Sequence, residues 1–496
     1  MSAEKKNKTD LLVIGAGPGG YAAAFLASDL GLSVTMADPM KNPGGVCLHY
    51  GCIPTKALLR AVKMKSKMES AKQMGLRFDN LSLDIDALRK FKDSVVKKLT
   101  GGLGQLTKRR KITYIQGNAS FTGKNSAQIE QAGGGTEQVS FDKAVIAAGA
   151  RASSIPGVEL DGKKVLYARP ALDIEEIPGS LLVVGGGYIG LELGTIYARL
   201  GSKVTIVEML PNIMPGADRD LVKLFLKENS NTFADIRTGT EVASVKEKNG
   251  GLEVRFEPAG TETESGSGAG GRGSAGSGDR GGTGSTEAFD KVLMTVGRKP
   301  NSGELNLKAA GIETDEKGFI PVDEERKTEK EHIFAVGDIT GPPLLAHKAH
   351  LEGRVAAAAA AGEKDAYDPQ AVPSVEYTDP EIAWTGMTEE EAKEKSISYK
   401  TAVFPWGASG RAATLGISAG KTKIIADTET DRIIGAGIVG NHADELISEA
   451  TLAIEMAALV SDIGRTIHPH PTLSETVMEA ADAYYGTATD IYSPKR

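Results

Sequence analysis

Residues 10–38 read DLLVIGAGPGGYAAAFLASDLGLSVTMAD. An apolar run, LLVIG, ends in a glycine-rich turn. The turn opens a helix, and a second apolar run closes on Asp38. This is a strand–turn–helix–strand unit with G-x-G-x-x-G at Gly15, Gly17 and Gly20. The first two glycines let a pyrophosphate approach the helix N-terminus, and the acid accepts from adenosine ribose hydroxyls. The pattern returns at 181–208, LLVVGGGYIGLELGTIYARLGSKVTIVE, with Gly185, Gly187, Gly190 and Glu208. One copy is a weak signal. Two copies, each in strand–turn–helix context and each with its acid, are a strong one. Met209 and Leu210 follow Glu208, with no neighbouring Arg to hold a 2′-phosphate, which favours NAD over NADP.

Between the two units lies GGVCLHYGCIPTK, residues 44–56, holding Cys47 and Cys52, the chain's only cysteines. A zinc site needs more ligands than His49 adds. A structural disulfide closing so short a loop adds little to a chain this long. A dithiol/disulfide redox couple is the leading reading. Residues five apart in an unbroken helix rise about 7.5 Å and point about 140° apart, whereas a disulfide needs Cα atoms within about 7 Å. The segment is therefore no plain helix. Gly51 supplies the irregular turn, and Pro54 suits the first turn of a helix expected over Thr55–Met68. Cys52 then sits at a helix N-terminus, where the dipole and Lys56 favour a thiolate.

The 496 residues carry a net charge of −7, which argues against nucleic acid as a partner. No apolar run is long enough to span a membrane. The polar start, MSAEKKNKTD, has neither signal- nor transit-peptide character, so the expected location is cytoplasmic, where a disulfide is more often catalytic than structural. A Gly/Ser-rich run at about 258–286 lacks apolar content and is expected to be a disordered surface insertion. It interrupts an expected hairpin of GLEVRFE and AFDKVLMTVG. HIFAVGDITG places Asp338 after a strand, and a helix is expected over Ala346–Ala361. From Pro373 the pattern turns α+β: strands in VPSVEYT, AWTGMT, ISYKTAVFPWG, KTKIIADTET and RIIGAGIVG, then helices at Asp444–Leu459 and Glu475–Tyr485.

Taken with GGVCLHYGCIPTKALL, VVGGGYIGLELG, VGRKPN, AVGDITGPPLLAHKAHLEG and HPHPTLSE, nearly the whole chain apart from the insertion resembles the pyridine nucleotide–disulfide oxidoreductases. FPWGASGRA and VEMLPNIMPGADRD point to the bacterial branch that oxidises protein-bound dihydrolipoyl groups for 2-oxo acid dehydrogenase complexes. The resemblance implies an α/β fold of two Rossmann-like dinucleotide-binding domains plus a C-terminal α+β dimerisation domain. FAD would be held by 1–154 and 299–371, NAD by 155–298, and the dimer by 372–496. It implies FAD contacts from Gly15, Gly17, Gly20, Asp38, Gly45, Lys56, Ala119, Gly149, Asp338 and Ala346. For NAD it implies Gly185, Gly187, Tyr188, Ile189, Gly190, Glu208, Val242, Gly297 and Arg298. Lys56 and Glu192 would pair near the flavin ring, with Tyr188 covering it until nicotinamide arrives. No metal is expected.

The catalytic residues implied are Cys47 as the exchange thiol, Cys52 as the flavin-facing sulfur, and His470 as the base for the dithiol, oriented by Glu475. The histidine serves from the opposite subunit of a homodimer. Plainer readings exist. Lys56 and Glu192 can be surface helix charges, and Thr472-x-x-Glu475 reads as a capping box. His468 is a decoy, because the family's base aligns with the second histidine. Three positions depart from the usual pattern: Asp38 for Glu, Ala148 for Thr, and His49 for Asn. The partners implied are lipoyl domains and the subunit-binding domain of an acyltransferase core, or the lipoyl-bearing H protein of glycine cleavage. Glutathione-type reductases carry Arg near Glu208, and mercuric reductase has further C-terminal cysteines. A non-catalytic flavoprotein scaffold has no need to keep Cys47, Cys52, His470 and Glu475 together.

Overall fold

The structure is a computed structural model and describes residues 8–77, 82–260, 284–417 and 419–492. The core of the expected insertion, 261–283, lies outside the described residues. The described residues form two compact units, one drawn from 8–61, 82–153 and 297–369, the other from 62–77, 154–296 and 370 onward.

In the first unit, strands Lys8–Ile14, Val34–Asp38, Thr136–Ile146 and Ile333–Ala335 run parallel, with Thr113–Gly123 at the edge. Two of these strands are long enough to leave the parallel sheet. Their free halves pair antiparallel with Ser126–Gln131, which makes a three-stranded extension. The helix Pro18–Asp29 buries its alanines, Ala22, Ala23, Ala24 and Ala27. Small side chains there let it pack against the alanine-rich helix Ala346–Ala361, whose bounds match expectation. A Cβ on Gly353 would lie 2.2 Å from the Gly19 carbonyl oxygen, so the two backbones meet too closely for any side chain.

In the second unit, Asp235–Arg237, Lys203–Val207, Ser180–Val184, Lys291–Met294 and Val165–Leu166 form a parallel sheet in that order. The expected hairpin partner AFDKVLMTVG is corrected: it is two strands. Ser285–Phe289 pairs antiparallel with Gly251–Pro258, whereas Lys291–Met294 joins the parallel sheet. Asp290 makes the break. Its carboxylate accepts from the Ser180 amide at 2.7 Å, and its own amide donates to the Ser180 hydroxyl at 3.0 Å.

The five C-terminal strands form one antiparallel sheet, as their alternation implies. Its core gathers on Trp406, Phe404, Ile424 and Ile438. The helix expected over Asp444–Leu459 is Ala443–Glu455, followed by a separate helix, Val460–Arg465. Ala457, at φ 52°, turns the chain between them. The final helix, Glu475–Tyr485, stands as expected. The long helix Ile85–Arg109, capped by Asp84, is an element without a counterpart in the sequence reading.

Candidate active site

Both glycine turns are built alike. Gly15 and Gly185 take φ of 95° and 110°. A Cβ on Gly20 would lie 1.9 Å from the Gly15 oxygen, and one on Gly190 would lie 2.1 Å from the Gly185 oxygen. Only glycine lets strand and helix approach so closely. Helices begin at Pro18 and Tyr188, immediately after Gly17 and Gly187, and Ile189 lies in the first turn of the second.

Each acid is locked to its own turn. Asp38 accepts from the Ala16 amide at 2.7 Å and the Met40 amide at 2.8 Å. Glu208 accepts from the Gly186 amide at 2.7 Å and the Leu210 amide at 2.9 Å. Burial raises the Asp38 carboxyl above its usual range, and the two amide bonds only partly oppose this. The shorter aspartate therefore still spans the turn at this departure from the family pattern.

The cysteine loop starts on the first turn. The Gly44 amide donates to the Ala16 carbonyl at 2.8 Å, and a Cβ on Gly45 would lie 2.5 Å from the Gly17 Cα. Cys47 lies in the short helix Gly45–Tyr50, and Gly51 breaks it, as the sulfur spacing requires. The next helix runs Cys52–Ser70, three residues longer at its start than expected, so Pro54 falls inside its first turn. The Thr55 hydroxyl donates to the Gly51 carbonyl at 2.7 Å and fixes the corner. Both sulfurs are half-buried thiols. The Cys47 thiol is pushed far up by its hydrogen bond with Cys52 and then by burial, against the pull of the Lys56 charge. His49 bonds the Asn42 carbonyl at 2.9 Å through Nε2.

Asp338 stands on the turn Gly337–Thr340. Burial raises its carboxyl, and Arg298, 3.3 Å away, acts in the opposite direction. Arg298 also donates to the Ala150 carbonyl. It thus lies in the same unit as Asp338, just after Gly297 at φ 113°. Beneath the turn, fully buried Glu352 accepts from the Gly337 amide at 2.6 Å and pairs with Arg326 and Lys348. No local pattern announces this triad, because its members come from a loop and a helix far apart in sequence. Ala119 is buried in Thr113–Gly123, Gly149 takes φ 66°, and Ala346 opens its helix. In the second unit, Val242 lies in Thr240–Lys248, and Glu192, 2% exposed, accepts from the Tyr377 amide at 3.1 Å. Lys56 and Glu192 belong to different units. The carboxylates of Asp218, Asp220 and Glu389 surround the Lys423 ammonium at 2.7 to 2.9 Å.

His470 Nδ1 lies 2.8 Å from Glu475 Oε1, and the Thr472 amide donates to Glu475 Oε2 at 2.7 Å. Burial acts to raise the Glu475 carboxyl, but the Thr472 amide and the histidines outweigh it and hold it below the usual range. The capping box is corrected to half of one. The Thr472 hydroxyl donates instead to the Pro469 carbonyl at 2.7 Å, and the helix starts at Glu475 itself. Glu475 is thereby left facing His470. His468 is bonded to Glu449 at 2.7 Å.

This chain's sequence matches the family described as "Pyridine nucleotide-disulphide oxidoreductase" over residues 9–353, and that family's dimerisation domain over 372–481. Dihydrolipoyl dehydrogenase of Vibrio cholerae is 42% identical over 491 residues, 99% of this chain and 98% of that protein. Dihydrolipoyl dehydrogenase of Thermus scotoductus is 44% identical over 97% of this chain and 98% of that protein. Among solved structures, LpdA from Mycobacterium tuberculosis superposes with a TM-score of 0.85 at 24% identity, covering 96% of this chain and 99% of that one. The HOCl-induced flavoprotein disulfide reductase RclA from Escherichia coli, as its Cu(II) complex, gives 0.82 at 25% identity, with the same coverage.

Proposed function

The chain belongs to the pyridine nucleotide-disulphide oxidoreductase family, and on that basis we propose that it oxidises protein-bound dihydrolipoyl groups to lipoyl groups while reducing NAD. It is an NAD-dependent oxidoreductase with FAD and NAD(H) as cofactors, and it forms a homodimer through its C-terminal domain. The observation that carries the reading is the seating of the Cys47 loop on the first glycine turn, which ties a dithiol to a dinucleotide site.

The residues fit both dinucleotides. A Cβ on Gly17 would meet only the Gly45 Cα, at 3.8 Å, and one on Gly187 nothing within 4 Å, so the cysteine loop flanks the first turn but neither turn is filled where a pyrophosphate would lie. Gly15, Gly17, Gly20, Asp38 and Asp338 would hold FAD. Gly185, Gly187, Gly190 and Glu208 would hold NAD. When bound, FAD takes the electron pair of the dithiol and NAD carries it away as hydride.

With Cys47 and Cys52 joined as a disulfide, the partner subunit's His470 takes the proton of a substrate thiol, and Glu475 holds the ring for it. The substrate sulfur attacks Cys47, and Cys52 leaves as a thiolate favoured by Lys56 and the helix N-terminus. The second substrate thiol then displaces Cys47 and gives its proton to the departing Cys47 sulfur. The products are a lipoyl disulfide, the Cys47 thiol and the Cys52 thiolate, with the first proton on His470.

From Pro373 onward, about 19 Asp and Glu stand against about 10 Lys and Arg. Such an acidic dimer domain suits a basic subunit-binding module of an acyltransferase core, with a cytoplasmic location. Affinity for that core should fall steeply with salt, and a salt-independent affinity would count against the acidic face. Cofactor choice tests the enzyme itself. NAD with dihydrolipoamide should beat both NADP with dihydrolipoamide and NADPH with glutathione disulfide in kcat/KM. Preference for either alternative would reassign the chain to a sister reductase.

A further inference from the structure

His470 is an exposed side chain, at 78%, on a loop between two helices. A general base must be held to within a fraction of an ångström, and an exposed loop does not do this unaided. Two residues earlier, His468 is only 4% exposed and bonded at both ring nitrogens. Nδ1 lies 2.8 Å from the Thr466 carbonyl, and Nε2 lies 2.7 Å from Glu449 on the helix Ala443–Glu455. The ring is thus held from both sides, by a backbone carbonyl at one nitrogen and a carboxylate at the other. His470 is the opposite case: among the described residues its ring bonds through Nδ1 alone, to Glu475.

The two histidines are joined by a short relay. Pro469 separates them, and Pro471 follows His470. Their rings fix φ on both sides of His470 and stiffen the loop. The Pro469 carbonyl accepts from the Thr472 hydroxyl at 2.7 Å, and the Thr472 amide donates to Glu475, which holds His470. The Thr472 hydroxyl also meets Ser474 Oγ at 2.8 Å. Every link is a hydrogen bond or a proline, and His468 ties the N-terminal end of the relay to the helix Ala443–Glu455.

We propose that His468 and Glu449 form a positioning clamp that anchors the loop to the helix Ala443–Glu455 and so sets the place of the His470–Glu475 pair. This rests on His470 being the base for the dithiol. His468, set aside in the sequence as a decoy, thereby acquires a role of its own. It is a positioning residue, acting through His470 and not on the substrate.

The test is a cycle on the full-length, flavin-loaded enzyme with dihydrolipoamide and NAD. His468→Phe and Glu449→Ala are each expected to lower kcat roughly 10- to 100-fold at unchanged KM, the order a misplaced catalytic group costs. Glu449→Gln keeps an acceptor for Nε2 and should restore most of the loss. In a His470→Gln background the same changes should add nothing, because they act through that ring. Glu449→Ala within about twofold of wild type, or a defect that multiplies that of His470→Gln, would overturn the clamp. A wild-type enzyme inactive toward dihydrolipoamide would instead overturn the reading on which it rests.

Discussion

The two glycine turns share their glycine packing and their carboxylate bonds and differ in what is placed on them. Both jam a glycine against the strand, and both tie a carboxylate to two backbone amides. Both also offer their middle carbonyl to the loop that follows: Ala16 accepts from Gly44 at 2.8 Å and Gly186 from Met214 at 3.0 Å. The divergence is at the second glycine. Gly17 has the Gly45 backbone against it, whereas nothing within 4 Å would meet a side chain on Gly187. A covered turn suits a dinucleotide that stays beside the sulfur pair. An open turn suits one that must leave at every turnover. On the proposed assignment the same local chemistry serves a resident and a travelling cofactor, and the difference lies in one neighbouring loop.

The largest expected effect comes from adding one methyl group on each side of that contrast. Gly45 takes φ 56°, and its Cβ would meet backbone at 2.5 Å. Gly45→Ala should cost several kcal/mol, roughly 2–4, and yield protein without flavin, read as the flavin-to-protein absorbance ratio after gel filtration. Gly187→Ala should keep its flavin and raise only the KM for NAD. Equal flavin content in the two variants would erase the distinction between the turns.

Next come the two acids. Asp38→Ala should weaken FAD, and Glu208→Ala should weaken NAD, by roughly 10- to 100-fold each, the worth of a hydrogen bond to a charged group. Neither should affect the other cofactor, which titration of flavin-stripped protein and steady-state kinetics would show. Glu208→Ala should also narrow the preference for NAD over NADP.

A smaller effect follows from acidity. Burial raises Asp38 above its ordinary 3.8. The folded state therefore favours the protonated acid. Its contribution to stability is complete below 3.8 and is lost as pH rises through the higher folded value. The ionised acceptor for a ribose disappears over the same interval as pH falls. As pH is lowered, FAD retention should accordingly begin to fail before pH reaches 3.8, measured as flavin release against pH. Release only below that value would place Asp38 outside the FAD site.

The smallest effect is expected from deleting 261–283. Loop-closure cost changes by only about 0.6 kcal/mol per doubling of the length of a flexible connection. Flavin content and kcat should match wild type, and loss of either would give the segment a structural role.

The glycine spacing and the alternating apolar runs carried both dinucleotide units into view, because each is written in adjacent residues. The break at Gly51 was legible for the same reason, since two sulfurs five residues apart cannot meet across a plain helix. What stayed hidden depends on residues distant in sequence. Asp290 splits an apparently continuous strand only because Ser180 is there to receive it. The half-made capping box turns on Pro469 taking the Thr472 hydroxyl. Glu352 takes its place only when the fold sets Arg326, Lys348 and the Gly337 amide around it. His468 gained meaning only from Glu449, which lies on another helix.

The most direct measurement is the formation of NADH from NAD and dihydrolipoamide by wild type, Cys47→Ser and Cys52→Ser, each matched for flavin content. Wild type should turn over. Each serine variant should fall to background while its flavin is retained, because the dithiol hands over its electrons only through the Cys47/Cys52 disulfide. Undiminished NADH formation by either variant would contradict the sulfur pair as the entry point for electrons, and with it the reading of the covered turn as the seat of the resident cofactor.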